Sequence, residues 1–351
     1  MTETGVRILV DICHPAHVHF FRHPIEIWRA AGHVVMVTSR LKEVATHLLD
    51  AMGVAHRTLS TQRTGMFGML RELVERDWRL YRVTREFRPQ VLTAIGGTFA
   101  AHAALLARRP SVVFYDTENA RLQNAITYPV ASSVIVPACY HGWLPRRHER
   151  YAGYHELSYL HPQRFRPSRE LALANGLDPE RSNYILRLVS WHANHDVGER
   201  HLDLDLVRAI AARLRHSGKL LISAEGDLPD DLARDRYRGA PEHLHHLMAF
   251  CAGYFGESAT MASECAVLGV PAVYAACTGR GYTDDQAARY GLVRNEPRLQ
   301  PEPMNAALDW LLGRHAAENA AARERMLQDN IDVAAFVAQR VLHYAARKRS
   351  G

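Results

Sequence analysis

Tyr254-Phe-Gly-Glu-Ser-Ala-Thr-Met-Ala-Ser-Glu264, continued by Cys265-Ala-Val-Leu-Gly-Val-Pro271, is the stretch from which the fold is read. A short apolar run over 253–256 enters small and hydroxyl residues that open a helix, expected over 258–268. Gly269 and Pro271 end it, because Gly accepts the left-handed cap conformation and Pro lacks the donor needed to continue. Such a helix start presents unpaired backbone N–H groups and the positive end of the helix dipole, which together bind phosphate. Ser258 and Thr260 add hydroxyl donors, and Glu264, one to two turns in, is placed to accept from the two hydroxyls of a ribose. An ordinary N-cap at Ser258 with Glu264 in solvent explains the same spacing.

Outward from this segment the pattern repeats. Residues 184–189, 219–223 and 272–274 read as further buried strands, with helices over 201–216, 241–250 and 284–290. The first half shows the same alternation: strands over 7–11, 34–39, 91–94, 111–115 and 133–136, and helices over 17–31, 42–52, 66–87 and 99–106. Alternating βα units imply parallel sheets covered on both faces. Residues 139–168 break into Pro, Gly, Tyr and His without periodicity and read as the connection between two domains. Residues 303–347 are mostly helical, with a break expected at Asn330.

Bulk composition agrees. The 351 residues, 47% of them apolar, exceed one comfortable core and suffice for two. No charge-free apolar stretch reaches the roughly eighteen residues of a membrane span, and residues 1–7 lack a secretory pattern, so a cytoplasmic protein is expected. Five scattered cysteines, with no CxxC pair, suggest neither a disulfide framework nor a zinc ribbon. The formal charge of +6 comes almost wholly from Arg interleaved with Asp and Glu; Lys stands only at 42, 219 and 348. That spread argues against nucleic acid and leaves anionic small molecules as partners.

Open parallel sheets bind ligands outside the carboxyl ends of their strands, so the loops there hold the candidate chemistry. After the first strand comes Asp11-Ile-Cys-His-Pro-Ala-His-Val-His19. An imidazole titrates near working pH, so His17, or else His14, can take a proton from an attacking hydroxyl. His19 lies on the acceptor side of the same loop. Zinc is the rival chemistry for His14 and His17, but no third ligand is near in sequence, and neither metal nor cofactor is expected. Gly96-Gly97-Thr98 suits close approach by an acceptor or phosphate, with a plain tight turn as the equal alternative. Asp116 and Glu118 offer two carboxylates that could orient His17, bind acceptor hydroxyls, or merely cap the helix that follows. In the second half Arg187, Ser190, Ser223 and Glu225 end strands, and His243 opens a helix near the expected base pocket, in a trio with His245 and His246 of which at least two are expected at the surface. Glu257 is the anomaly: a fixed negative charge in a phosphate loop repels a diphosphate unless it points away.

The 254–264 segment resembles the sugar-nucleotide motif of GT-B enzymes such as the lipid II-forming N-acetylglucosaminyltransferase. Over nearly its full length the chain is also similar to the domain-of-unknown-function 354 family, through Asp11–Phe21, Asp116-Thr-Glu118, Leu122-Gln-Asn124, Glu156-Leu-Ser-Tyr-Leu-His-Pro162, Val189-Ser-Trp191 and Gly256-Glu-Ser-Ala-Thr-Met261. The GT-B resemblance implies Ser258, Ala259, Thr260 and Met261 at the diphosphate, Glu264 on ribose, and His17-Val18 at the place of the catalytic loop's His-Val. That loop's glycines are replaced here by Cys13, Pro15 and Ala16, which implies a different acceptor. The implied fold is α/β, GT-B, with two Rossmann-like parallel-sheet domains facing a central cleft: an acceptor-side domain over 1–150, a nucleotide-sugar domain over 151–330, and a terminal helix over 331–351 packing back on the first. The implied reaction is metal-independent transfer of a sugar from UDP or another nucleoside diphosphate to a hydroxyl acceptor touched by Asn124 among others. A non-hydrolysing UDP-N-acetylglucosamine 2-epimerase-like enzyme and a non-catalytic nucleotide-sugar-binding protein are the alternatives, and a homodimer is a candidate assembly.

Overall fold

The computed structural model describes residues 5–41, 44–61, 66–189 and 201–347. Close packing divides the chain into two compact units, Met1–Arg164 with Asn330–Gly351, and Phe165–Asp329. The first unit runs β1 (Arg7–Ile12), α1 (Pro15–Ala30), β2 (Val34–Leu41), α2 (Ala45–Ala51), β3 (His56–Thr61), α3 (Met66–Phe87), β4 (Val91–Ile95), α4 (Thr98–Leu106), β5 (Ser111–Phe114), α5 (Arg121–Thr127), β6 (Ser133–Pro137) and β7 (His148–Tyr151). Its seven strands pair in the order β3-β2-β1-β4-β5-β6-β7, every pair parallel. The inner strands are apolar along their length because helices cover both faces; Ile8, Leu9, Val10, Val112, Val113 and Ile135 are wholly buried.

The second unit runs α6 (Arg169–Ala174), β8 (Asn183–Leu188), α7 (Leu204–Ser217), β9 (Lys219–Ala224), α8 (Asp230–Ala233), α9 (Leu244–Met248), β10 (Gly253–Gly256), α10 (Ala259–Leu268), β11 (Ala272–Ala275), α11 (Gly281–Tyr290), β12 (Val293–Glu296), α12 (Pro301–Leu312) and α13 (Ala316–Asp329). The sheet order is β12-β11-β10-β8-β9, again parallel throughout. Leu186, Phe255 and Val273 from the strands pack with Val207, Ile210 and Leu308 from α7 and α12.

Three strands escape the apolar pattern: β3 (HRTLST), β7 (HERY) and β12 (VRNE). Each is an outermost strand, where one side of the ladder meets solvent and polar side chains are tolerated. The stretch 139–168 is likewise not a bare connection. It holds β7 and a 3₁₀ turn, His155–Ser158, both in the first unit, so the units part at Arg164 rather than near residue 150. The helical stretch 303–347 breaks at 313–315 as well as at the expected Asn330, and α14 (Val333–Arg347) returns to the first unit, where the α1 indole Trp28 Nε1 donates to Ala338 O at 3.1 Å.

Strand order fixes where each unit can bind a ligand. In the first sheet the chain reverses direction of travel at β1 and β4; in the second, at β8 and β10. A crevice opens at such a switch point beyond the carboxyl ends.

Candidate functional site

Beyond β1 the chain turns into α1 through His14, whose Nδ1 accepts from Ala16 N at 3.2 Å and so caps the helix, with Pro15 at the first helical position. His17 sits one turn in. Its Nδ1 accepts from Cys13 N at 3.4 Å, which in the neutral ring leaves the proton on Nε2. The floor of this turn is Asp11, buried, whose Oδ1 accepts from Thr38 Oγ1 at 2.7 Å and from Arg76 Nη2 at 2.6 Å. Arg76 reaches in from α3, fully buried, and its Nη1 donates to Ser39 O at 3.1 Å and Ser60 Oγ at 2.9 Å. A buried charge pair held by this many hydrogen bonds is costly to disturb, so it fixes the end of β1 and with it the histidine turn. Burial, and the nearby Asp11 carboxylate, push the Cys13 thiol up to about 12. His19 faces the other way and stacks on Tyr159, ring centres 5.3 Å apart.

At the carboxyl end of β5 the Asp116 Oδ2 lies 3.1 Å from His155 Nδ1, and Oδ1 accepts from Thr117 Oγ1 at 3.0 Å. Burial by itself would raise this carboxyl; the opposing His155 charge and hydrogen bond, Thr117 and the charge of His17 outweigh it and hold Asp116 at about 2. Glu118 Oε1 accepts from His141 N at 3.4 Å. Asn124 Nδ2 donates to Tyr140 OH at 3.3 Å, which meets Tyr128 OH at 3.1 Å. Four buried atoms around this end of the sheet, Glu118 Oε2, Asn124 Oδ1, Tyr151 OH and His155 Nε2, have no protein partner among the described residues. Buried polar atoms are nearly always paired, so water or a ligand hydroxyl has to satisfy them.

The Gly96-Gly97-Thr98 turn works as scaffold. Gly96 O accepts from Tyr115 OH at 2.6 Å and Gln123 Nε2 at 2.8 Å, and Thr98, buried, meets Thr127 Oγ1 at 2.8 Å. A Cβ on Gly97 would lie 2.3 Å from Val113 Cγ1, so only glycine lets the turn pass over β5.

In the second unit Ser258 is the N-cap of α10, its Oγ accepting from Met261 N at 3.3 Å, and Tyr254 OH pins the turn by donating to Ser258 O at 3.0 Å. The first N–H groups of a helix have no intrahelical partner, and here they belong to Ala259 and Thr260. Gly256 lets the turn start against β8: a Cβ there would meet Arg187 O at 2.5 Å. Glu257 points away from these amides. Its carboxylate accepts from Val189 N at 2.9 Å and Leu202 N at 3.0 Å and lies 3.2 Å from His201 Nδ1. Its side chain is thus held between Val189 at the end of the β8 strand and Leu202 ahead of α7, by amide donors that hold the carboxylate without neutralising it.

Glu264 is 5% exposed and pairs with His245 Nε2 at 2.9 Å, so the reading that left it in solvent fails. The cause is the surroundings of α10, whose residues are buried almost throughout. His245 is buried as well, while the half-buried His246 accepts from Ser168 N at 3.0 Å and His243 meets Asn175 at 3.3 Å, so none of the three is a free surface imidazole. Arg187 donates from Nη1 to Ser223 Oγ at 2.9 Å and from Nη2 to Glu225 Oε1 at 2.5 Å, so the guanidinium carries a carboxylate partner. Ser190 lies outside the described residues.

Within the first unit the structure thus brings His14, His17, Asp116 and Glu118 to one end of one sheet; within the second it gathers Arg187, Ser223, Glu225, Glu257 and Ser258 through Glu264 likewise. Sequence reasoning missed His155 and Tyr151 as candidate site residues, and named His245 only within a trio expected mostly at the surface. His155 stands in the Glu156-Leu-Ser-Tyr-Leu-His motif's flank, which was the available signal. Among the described residues no three of His, Cys, Asp and Glu converge as a metal-ligand set, and no helix is long and apolar enough to cross a membrane.

Residues 6–159 match the family model described as Protein of unknown function (DUF354), which takes in the motifs from Asp11 to Tyr159 but not Gly256–Met261. No curated protein matches the sequence. Among solved structures the chain is similar to UDP-GlcNAc 2-epimerase from Neisseria meningitidis bound to UDP-GlcNAc, with TM-score 0.67 and 11% identity over 97% of this chain and 100% of that one. It is similar to UDP-N-acetylglucosamine 2-epimerase from Rickettsia bellii, TM-score 0.69 and 12% identity over 98% of each. It is similar also to the spinosyn forosaminyltransferase SpnP, TM-score 0.66 and 15% identity over 97% of this chain and 100% of that one. At such identities the likeness establishes the fold, two parallel-sheet α/β domains of the GT-B kind. UDP-GlcNAc 2-epimerases and a forosaminyltransferase share that fold, and a fold by itself assigns no reaction.

Proposed function

We propose that the chain is a glycosyltransferase that moves a sugar from a nucleoside diphosphate, with UDP the first candidate, to a hydroxyl acceptor. The observation that carries this reading is the carboxylate–imidazole cluster at the end of the first sheet, where Asp116 is kept ionised beside His155 and His17. The acceptor oxygen attacks the anomeric carbon, the bond from that carbon to the diphosphate oxygen breaks, and the diphosphate leaves with the electron pair. His17 takes the hydroxyl proton at Nδ1, where the long contact with Cys13 N yields, and Asp116 stabilises the imidazolium. His155 orients Asp116 and is a positioning residue. His14 holds the turn. The amides of α10 bind the leaving diphosphate, and Glu264, oriented by His245, takes the ribose.

The second reading is a 2-epimerase, favoured by two carboxylates, Asp116 and Glu118, on one loop. Glu257 would have no part in it, because two amides already hold its carboxylate. Incubation with UDP-N-acetylglucosamine alone and with hydroxyl acceptors separates the readings. Acceptor-dependent UDP release supports transfer, whereas the C2 epimer formed without acceptor replaces it by epimerisation. A thermal-shift screen across nucleotides and nucleotide sugars that gives no stabilisation would end both, since a ligand at a hundred times its Kd adds about 2.7 kcal/mol.

A further inference from the structure

A cavity of about 730 Å³ opens in the second unit beside the amino-terminal half of β9. Lys219, Leu220 and Leu221 form its wall, and the segment 234–239 closes the outer side. That segment lies along the free edge of β9, with Ile222 N donating to Asp235 O at 2.7 Å and Tyr237 N to Ile222 O at 2.8 Å. Six cationic side chains line the space, Arg181, Arg215, Lys219, Arg234, Arg236 and Arg238, against the two carboxylates Asp178 and Asp235.

Neither carboxylate cancels the excess. Asp235 Oδ2 accepts from Arg215 Nε at 2.8 Å and Nη2 at 2.5 Å, and Asp178 Oδ1 accepts from Glu180 N at 3.0 Å. Arg181 donates to Gly218 O at 2.7 Å, and Arg236 to Gly226 O. Carbonyls satisfy hydrogen bonds without neutralising charge. Arg234 is tied only loosely, 3.7 Å from Asp235, and among the described residues no carboxylate pairs with Lys219 or Arg238. A concave wall of one sign focuses its field into the cavity, and guanidinium forks match phosphate oxygens. The volume is that of a small-molecule site.

The place differs from the α10 site. Lys219 opens β9 and Ser223, beside Arg187, nearly ends it, so the two lie about 13 Å apart along the strand and at opposite ends of the sheet. We propose that this cavity is a second anion site, which binds a small molecule carrying two or more phosphates independently of the nucleotide-sugar reading.

Tripolyphosphate is the probe, titrated into the full chain at low ionic strength by calorimetry and thermal shift, with circular dichroism to confirm folding. Wild type is expected to bind, more weakly as salt is added. Lys219→Glu with Arg238→Glu should weaken binding by at least about tenfold. Ser258→Asp, which keeps an N-cap but repels anions at α10, should retain the binding event that the double variants weaken, whatever it loses at α10. The neutral pair Lys219→Gln with Arg238→Gln, which does not burden the fold with new charge, should lose affinity to a lesser degree. Absence of binding by wild type, wild-type affinity in both double variants, or loss of that event in Ser258→Asp instead overturns the proposal.

Discussion

Replacing Asp116 by Asn removes a charge while keeping the shape and an oxygen that can still accept from His155. Burial favours the protonated acid here, yet His155, Thr117 and His17 hold it at about 2, against an ordinary 3.8. A carboxylate depressed in the folded state stabilises that state above its unfolded pKa, and the contribution is lost as pH falls through the folded value. From these two values the charge contributes about 2 kcal/mol at pH 5 and about 1 kcal/mol at pH 3. The reference is pH 5 because it lies above both carboxyl values. Urea unfolding followed by circular dichroism at both pH values should show Asp116→Asn less stable than wild type at pH 5, with the gap roughly halved at pH 3. A gap that stays constant, or none at pH 5, refutes the account of the site's electrostatics.

His17→Ala should lower kcat about 10²- to 10⁴-fold while leaving the thermal shift with UDP in place; loss of both would assign His17 to the fold instead. Glu257→Ala strands the Val189 and Leu202 amides and should lower stability by about 2–4 kcal/mol in urea titration, with Glu257→Gln milder. Tighter nucleotide binding without that loss would restore Glu257 as a repulsive charge in the pocket. Since burial raises both Cys13 and Cys251 to about 12, a thiol reagent at pH 8 should label exposed Cys277 well before either, as peptide mapping would reveal.

Much of the fold was legible because the inner strands carry their own signal. Runs such as 8–10 and 112–114 are apolar on both faces, and Gly or Pro marks the helix ends; α3 and β10 were read to their terminal residues. The outermost strands β3, β7 and β12 were not, since a polar, half-solvated strand resembles a loop until its neighbour is known. At the site the strand-end rule located the histidine turn and the Ser258 cap, because that rule depends only on local order. It could not supply partners. That Glu264 meets His245, that Asp116 meets His155, and that Glu257 folds back on two amides are contacts across 19, 39 and 68 positions, fixed by packing that no local pattern encodes.

The return of α14 to the first unit makes the second unit an insertion within it. Arg164 and Asp332, where the chain departs and comes back, are clasped at 2.5 Å. Trp28 on α1 bonds to a carbonyl 310 positions further on, so a growing polypeptide holds that indole uncovered while the whole inserted unit is made. At ribosomal speed the wait is on the order of half a minute. The first unit can therefore close over Trp28 only after the whole inserted unit has been made.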